Sequence, residues 1–149
     1  MTTAPPEDIL AHVQGVRTRI QNNSPIYAFL LDEAVIYAAE TGVIRATIRV
    51  NKKQINSKGT LHGTFSACVL DWAGGLAIAT HGLQSTGLST DMHISYVSTA
   101  KEGEELEIEG RTSRVGRTLG FTTVVISKRK ENGELAVVAQ GSHTKYIVR

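Results

Sequence analysis

Apolar residues recur with two different periods along this chain. From Pro6, the positions Ile9, Val13, Val16 and Ile20 stand four, three and four apart, the spacing of one helical face. Pro6 suits a first helical turn, and Asn22-Asn23-Ser24-Pro25 should end the helix. The period then becomes two: Ile44, Ala46, Ile48 and Val50 alternate with Arg45, Thr47 and Arg49, as in a strand with one wet face. With Thr41-Gly42 as the turn, residues 30 to 51 read as a hairpin, followed by a polar loop over 52 to 62.

The helical period returns from Thr64 to His81, where Phe65, Val69, Trp72, Leu76 and Ala79 form one stripe and alanines, Leu70 and Ile78 fill much of the rest. A helix apolar on nearly all sides is a buried one, and Gly82 can cap it. Gly74-Gly75 lowers its intrinsic stability and lets another backbone come close. Four consecutive strands follow: Leu88 to Tyr96, a segment around Leu106, Ile108 and Gly110, Leu119 to Lys130, and Leu135 to Val148. The turns are Val115 to Thr118 and Asn132-Gly133. This order predicts an α+β fold, a curved antiparallel sheet wrapped around one central helix, with an extra N-terminal helix.

The remaining composition narrows the class. A chain of 149 residues suits one domain spanning 1–149, with residues 1–24 as an N-terminal extension and helix. Net charge is +2 with both signs interspersed, so no nucleic-acid arm is expected. The single cysteine, Cys68, points to a reducing compartment. The first ten residues have neither a basic nor an apolar signal region. The apolar run 61 to 80 contains His62, Asp71 and three glycines, which argues against a membrane span. The expected address is cytoplasmic, with the mitochondrial matrix as the alternative. No HExxH, CxxC or paired-His pattern suggests a metal, and phosphate-loop and serine-elbow motifs are absent.

Asp71 is the only charged residue between Gly63 and Thr80. A carboxylate there needs a partner or a use. It is either a buried acid satisfied by amides or a cation, or a general base whose pKa desolvation raises. The amides that open the helix, at Gly63 to Phe65, carry partial positive charge and suit an oxyanion; alternatively, Gly63 and Thr64 only shape a turn and cap. Eight residues separate Gly63 from Asp71, about 12 Å along a helix axis. One chain therefore cannot bring both to one reacting carbon. If both act, the acid must meet the amides of a second copy across a two-fold axis. Taken singly, Asn56 reads as a turn residue, His62 as structural and Ser89 as a solvated hydroxyl. Tyr96 to Lys101 and Arg114 to Thr118 place basic groups in turns, either solvated or binding phosphate.

Taken together, Asn56-x-x-Gly59-Thr60-Leu61-His62-Gly63 with Asp71, Ser89-Thr90-Asp91-Met92, Tyr96, Lys101, Gly116-Arg117-Thr118-Leu119 and Gln140 to Lys145 resemble the hotdog-fold acyl-CoA thioesterases of the phenylacetate-pathway type. The resemblance runs over about residues 25 to 147. It implies hydrolysis of an acyl-CoA to a free acid and CoA, with no cofactor, because CoA is part of the substrate. It implies that Gly63 and Asn56, with His62 beside them, hold the thioester carbonyl. Asp71 of the facing subunit would activate water or attack directly, with Ser89 placing the water. CoA would lie along Lys52, Asp91, Tyr96, Lys101, Arg114, Gly116, Arg117, Thr118 and His143. The resemblance also implies a homodimer, as the shared site demands, commonly paired into a homotetramer. Thr64 departs from the family pattern, which often has a second glycine there, and Trp72 is expected to narrow the acyl pocket. A non-catalytic acyl-CoA binder is the alternative function. A hotdog dehydratase or hydratase would need a catalytic His paired with an acid in a different motif, which is absent.

Overall fold

A computed structural model describes residues 8–149. Helix α1 spans Ile9–Asn23, capped by the Asp8 carboxylate, which accepts from the Ala11 N–H at 3.0 Å. Pro6, the expected first-turn residue, lies outside the described residues. The chain does break at Asn23, but Ser24 at once caps a second short helix, α2, Pro25–Leu30. Leu30 to Ala34 therefore belongs to a helix end and turn, and the hairpin is shorter than expected. Its strands are β1, Val35–Glu40, and β2, Val43–Arg49, joined through Gly42 at φ +84°.

Residues 52 to 62 are not a plain loop. They hold a 3-10 turn at Lys52–Gln54 and bridges pairing Ile55 with Leu61 and Thr60 with Lys101. Helix α3 then runs Gly63–Ala79, and β3 to β6 cover Leu88–Tyr96, Glu105–Val115, Leu119–Arg129 and Leu135–Tyr146.

The six strands form one antiparallel sheet in the order β1-β2-β4-β5-β6-β3. The four consecutive strands are thus not a simple meander, because β3 crosses over to pair with β6. The inward faces carry Ile44, Ala46 and Ile48 from β2, Leu106 and Ile108 from β4, and Val124 and Ile126 from β5. They close on Phe65, Val69, Trp72 and Leu76 of α3, all at most 1% exposed. Gly110 sets the approach of helix to sheet: a Cβ there would lie 2.7 Å from the Ala73 carbonyl oxygen.

Two adjoining surfaces are open. Helix α3 leaves one stripe incompletely covered, through Thr64, Ala67, Cys68 and Asp71. Strand β3, the neighbouring edge, pairs on one side only, and eight of its nine residues are exposed. An edge strand so uncovered is a ready template for another chain. Among the described residues no helix is long and apolar enough to cross a membrane.

Candidate active site

The register of β3 against β6 assembles one end of the site. Lys145 pairs with Ser89, and His143 with Met92, across an irregularity between Ser89 and Asp91. Lys145 and His143 are two apart on β6 and share its buried face. Opposite them lies Asp71, midway along α3.

Lys145 Nζ donates to Asp71 Oδ1 at 2.7 Å, and its side chain is 3% exposed against 31% for the acid. Gly75 makes the approach possible: a Cβ at that position would stand 3.2 Å from Nζ and 2.6 Å from Thr86 Cβ. Gly74 likewise accommodates Thr122, whose Oγ1 would be 2.6 Å from an added Cβ. The close approach expected at this glycine pair thus serves the buried lysine as well as the Thr86 backbone. Tyr27 of α2 donates its hydroxyl to Asp71 Oδ2 at 2.6 Å. Ser89 Oγ lies 3.4 Å from Oδ1 and 2.8 Å from His143 Nε2; the imidazole tautomer decides which of the latter two donates. His143 Nδ1 is 3.7 Å from Oδ1.

Of the two readings of Asp71, this arrangement matches the acid satisfied by a cation. Burial alone pushes the carboxyl up, but the Lys145 ammonium and hydrogen bond, with Tyr27 and His143, outweigh it and hold the group below its ordinary value. The acid is ionised at neutral pH. His143 moves down from the usual imidazole value, first through burial and then through the Lys145 charge, despite Asp71 pulling the other way. It is neutral at pH 7. His143, expected among the CoA-binding residues, is fully buried in the single chain and hydrogen-bonded to Ser89. It belongs with the acid.

The other end is the entrance to α3. His62 caps the helix, its Nδ1 accepting from the Thr64 N–H at 3.0 Å, and the Gly63 amide heads the first turn without an intrahelical acceptor. The entry is fixed by Leu61 N–H to the Ala100 carbonyl and His62 N–H to the Gln54 carbonyl, both 2.8 Å. Tyr96 donates to the Gly63 carbonyl at 3.0 Å, and a Cβ on Gly63 would lie 3.2 Å from its ring. Asn56 is committed to its own loop: Oδ1 accepts from the Lys58 and Thr60 amides, and Nδ2 donates to Thr60 Oγ1 at 2.9 Å. An apolar recess of about 210 Å³, lined by Leu30, Lys53, His62, Thr64 and Phe65, opens beside the cap. Trp72 is fully buried in the core and does not line it.

Of the expected CoA contacts, Lys52, Asp91, Tyr96, Lys101, Arg114, Arg117 and Thr118 are exposed. The half-buried Gly116 donates its N–H to the Leu119 carbonyl in the β4–β5 turn. Residue typing alone does not single out Tyr27 or Lys145. For Lys145 the alternation of β6 is a signal, since it stands in register with His143 and Ile147 on the inward face.

The thioesterase superfamily pattern matches residues 58–135. Acyl-coenzyme A thioesterase 13 of Homo sapiens is 34% identical over 118 residues, covering 79% of this chain and 82% of that protein. The chain belongs to the thioesterase superfamily. Zebra fish thioesterase superfamily member 2 superposes with a TM-score of 0.80 at 34% identity, covering 93% of this chain and 98% of that one. The E. coli PaaI protein, from the phenylacetic acid degradation operon, shares the fold at 15% identity, with a TM-score of 0.74 over 95% of this chain and 97% of that one. The architecture is the hotdog fold, as the sequence resemblance implies. Tyr27, His143 and Lys145 all lie outside the residues matched to the superfamily pattern.

Proposed function

We propose that this protein hydrolyses acyl-CoA thioesters to a carboxylic acid and CoA, in a homodimer whose two sites are each shared between chains. The observation that carries the reading is an ionised, partly exposed carboxylate, Asp71, on the uncovered stripe of the central helix of a thioesterase-superfamily chain. The human relative's name supports acyl-CoA as the substrate class.

Asp71 and the Gly63 amide sit about 12 Å apart on one helix. Pairing of the open β3 edges of two copies would set their α3 helices antiparallel, each acid facing the other chain's helix entrance. The Gly63 N–H, with Asn56 and His62 nearby, then receives the thioester oxygen. Asn56 must exchange its Thr60 contact to take part. Asp71 acts as base or as nucleophile, and Ser89, held by His143, places water. In the base route a water proton passes to Asp71, the water oxygen bonds to the carbonyl carbon, and the oxyanion rests on the Gly63 amide. The C–S bond then breaks and the CoA thiolate leaves, to be protonated. CoA would lie along Lys52, Asp91, Tyr96, Lys101, Arg114, Gly116, Arg117 and Thr118, and the recess beside His62 and Phe65 takes part of the acyl group. Pairing of dimers into a homotetramer and a cytoplasmic address belong to the same reading.

Incubation with a panel of acyl-CoAs and a thiol reagent tests the proposal. Asp71→Ala should lose at least about a hundredfold in turnover. Wild-type turnover equal to that of the variant would overturn it. Single turnover in heavy-oxygen water separates the two roles of Asp71, since label in its carboxylate means direct attack. The Asp71–Lys145 pair also favours a second reading, a non-catalytic acyl-CoA binder in which the acid is structural. Tight binding without hydrolysis would establish that one.

A further inference from the structure

Helix α2 contributes little to the core. None of its six residues is fully buried, and Ile26 and Phe29 are 62% and 57% exposed. It is nevertheless firmly held. The Ser24 hydroxyl accepts from the Tyr27 N–H at 3.3 Å, and Gln54 Nε2 donates to the Leu30 carbonyl at 2.8 Å. Just beyond it, Arg17 Nη2 donates to the carbonyls of Leu31 and Ala34 at 3.1 and 2.9 Å. What this scaffold delivers to the site is one polar group, the Tyr27 hydroxyl, 2.6 Å from Asp71 Oδ2.

We infer that Tyr27 is a positioning residue for Asp71, fixing the plane of the carboxylate from the oxygen that Lys145 does not hold. With Tyr27 on Oδ2 and Lys145 on Oδ1, each oxygen has its own donor and rotation about the Cβ–Cγ bond is blocked. Oδ1 is then left toward Ser89, the hydroxyl that His143 orients. The groups around the carboxylate are Tyr27 from α2, Cys68 from α3, Ser89 from β3, and His143 and Lys145 from β6, with Asp91 of β3 acting on His143. Burial and the Asp71 charge both raise the Tyr27 phenol, so it remains a donor at every working pH. The superfamily pattern begins at residue 58, so Tyr27 is a contribution of the N-terminal segment of this chain.

The inference rests on Asp71 being the reacting acid of the proposed thioesterase, but its test does not depend on turnover alone. Tyr27→Phe keeps the ring and removes only the donor. Carbon-13 titration of the Asp71 carboxyl should show the midpoint moving up in Tyr27→Phe relative to wild type. The acid limb of kcat/KM should move in the same direction, with kcat at pH 7 lower by about 3- to 30-fold and KM changed less than about twofold. A merely structural ring would leave both pH midpoints where they are. Identical titration and kcat in the two proteins would overturn the inference. Should Asp71→Ala be as active as wild type, the thioesterase reading fails, while the carboxyl titration still decides what Tyr27 does.

Discussion

The Lys145 ammonium reaches Asp71 Oδ1 at 2.7 Å across the bare backbone of Gly75, one helical turn beyond the acid. A nearly buried cation thus faces a carboxylate that is only partly covered. That asymmetry decides what either group costs when its partner is lost.

Removing the acid's charge strands the cation. Asp71→Asn should lower stability at pH 7 by about 1–3 kcal/mol, below the range for a fully buried pair because water screens the exposed carboxylate. The folded-state pKa of Asp71 is depressed, so the native state binds this proton more weakly than the unfolded chain does. The stabilisation is complete above the ordinary carboxylate value of about 3.9. It is lost as pH falls through the lower folded value. Urea midpoints from pH 7 down to pH 2 should show the gap between wild type and Asp71→Asn closing across that acidic window. A gap independent of pH would contradict the ion pair.

The glycine beneath the lysine gives a second expectation. Gly75→Ala would place a Cβ 2.6 Å from Thr86 Cβ and 3.2 Å from both Lys145 Nζ and the Thr86 carbonyl oxygen. Alanine is ordinarily the better helix residue by about 1 kcal/mol. Overpacking should win here, for a net loss of about 1–3 kcal/mol in urea unfolding. A stabilised Gly75→Ala protein would mean that Lys145 does not lie over the helix as described.

Cys68 lies on the same stripe of α3, one turn before the acid. Burial first, and the Asp71 charge second, push its thiol up to about 12. Alkylation by iodoacetamide at pH 8 should be at least about tenfold slower in the native protein than in urea, because the thiolate is the reactive form. Equal rates would contradict the environment assigned to this face of α3.

Much of this is readable in the chain, and what is hidden has physical causes. The helical stripe from Phe65 to Ala79 and the alternation of β2 and β4 announce their elements, because one face of each meets the core. The crossover that sets β3 beside β6 is not written in any local period, since Leu88 to Tyr96 sits at an open edge and has little burial to pattern it. Helix α2 is too short to show a period. Which of the two readings of Asp71 holds is set by Tyr27 and Lys145, which stand 44 and 74 residues away along the chain. The contact of His143 with Ser89 is likewise hidden, because only the pairing of β3 with β6 brings the two together.

The central claim is that each site draws its acid and its helix-entrance amide from different chains. Gly63→Pro removes that amide at a first helical position, which tolerates proline, and its Cβ would stand 3.2 Å from the Tyr96 ring. Gly63→Pro and Asp71→Asn proteins, each inactive alone, should be co-expressed with different tags and the mixed dimer purified. One of its two sites would then combine an intact Asp71 with an intact Gly63, and acyl-CoA hydrolysis should return to about half the wild-type rate per dimer. A mixed dimer no more active than its parents would contradict the shared site.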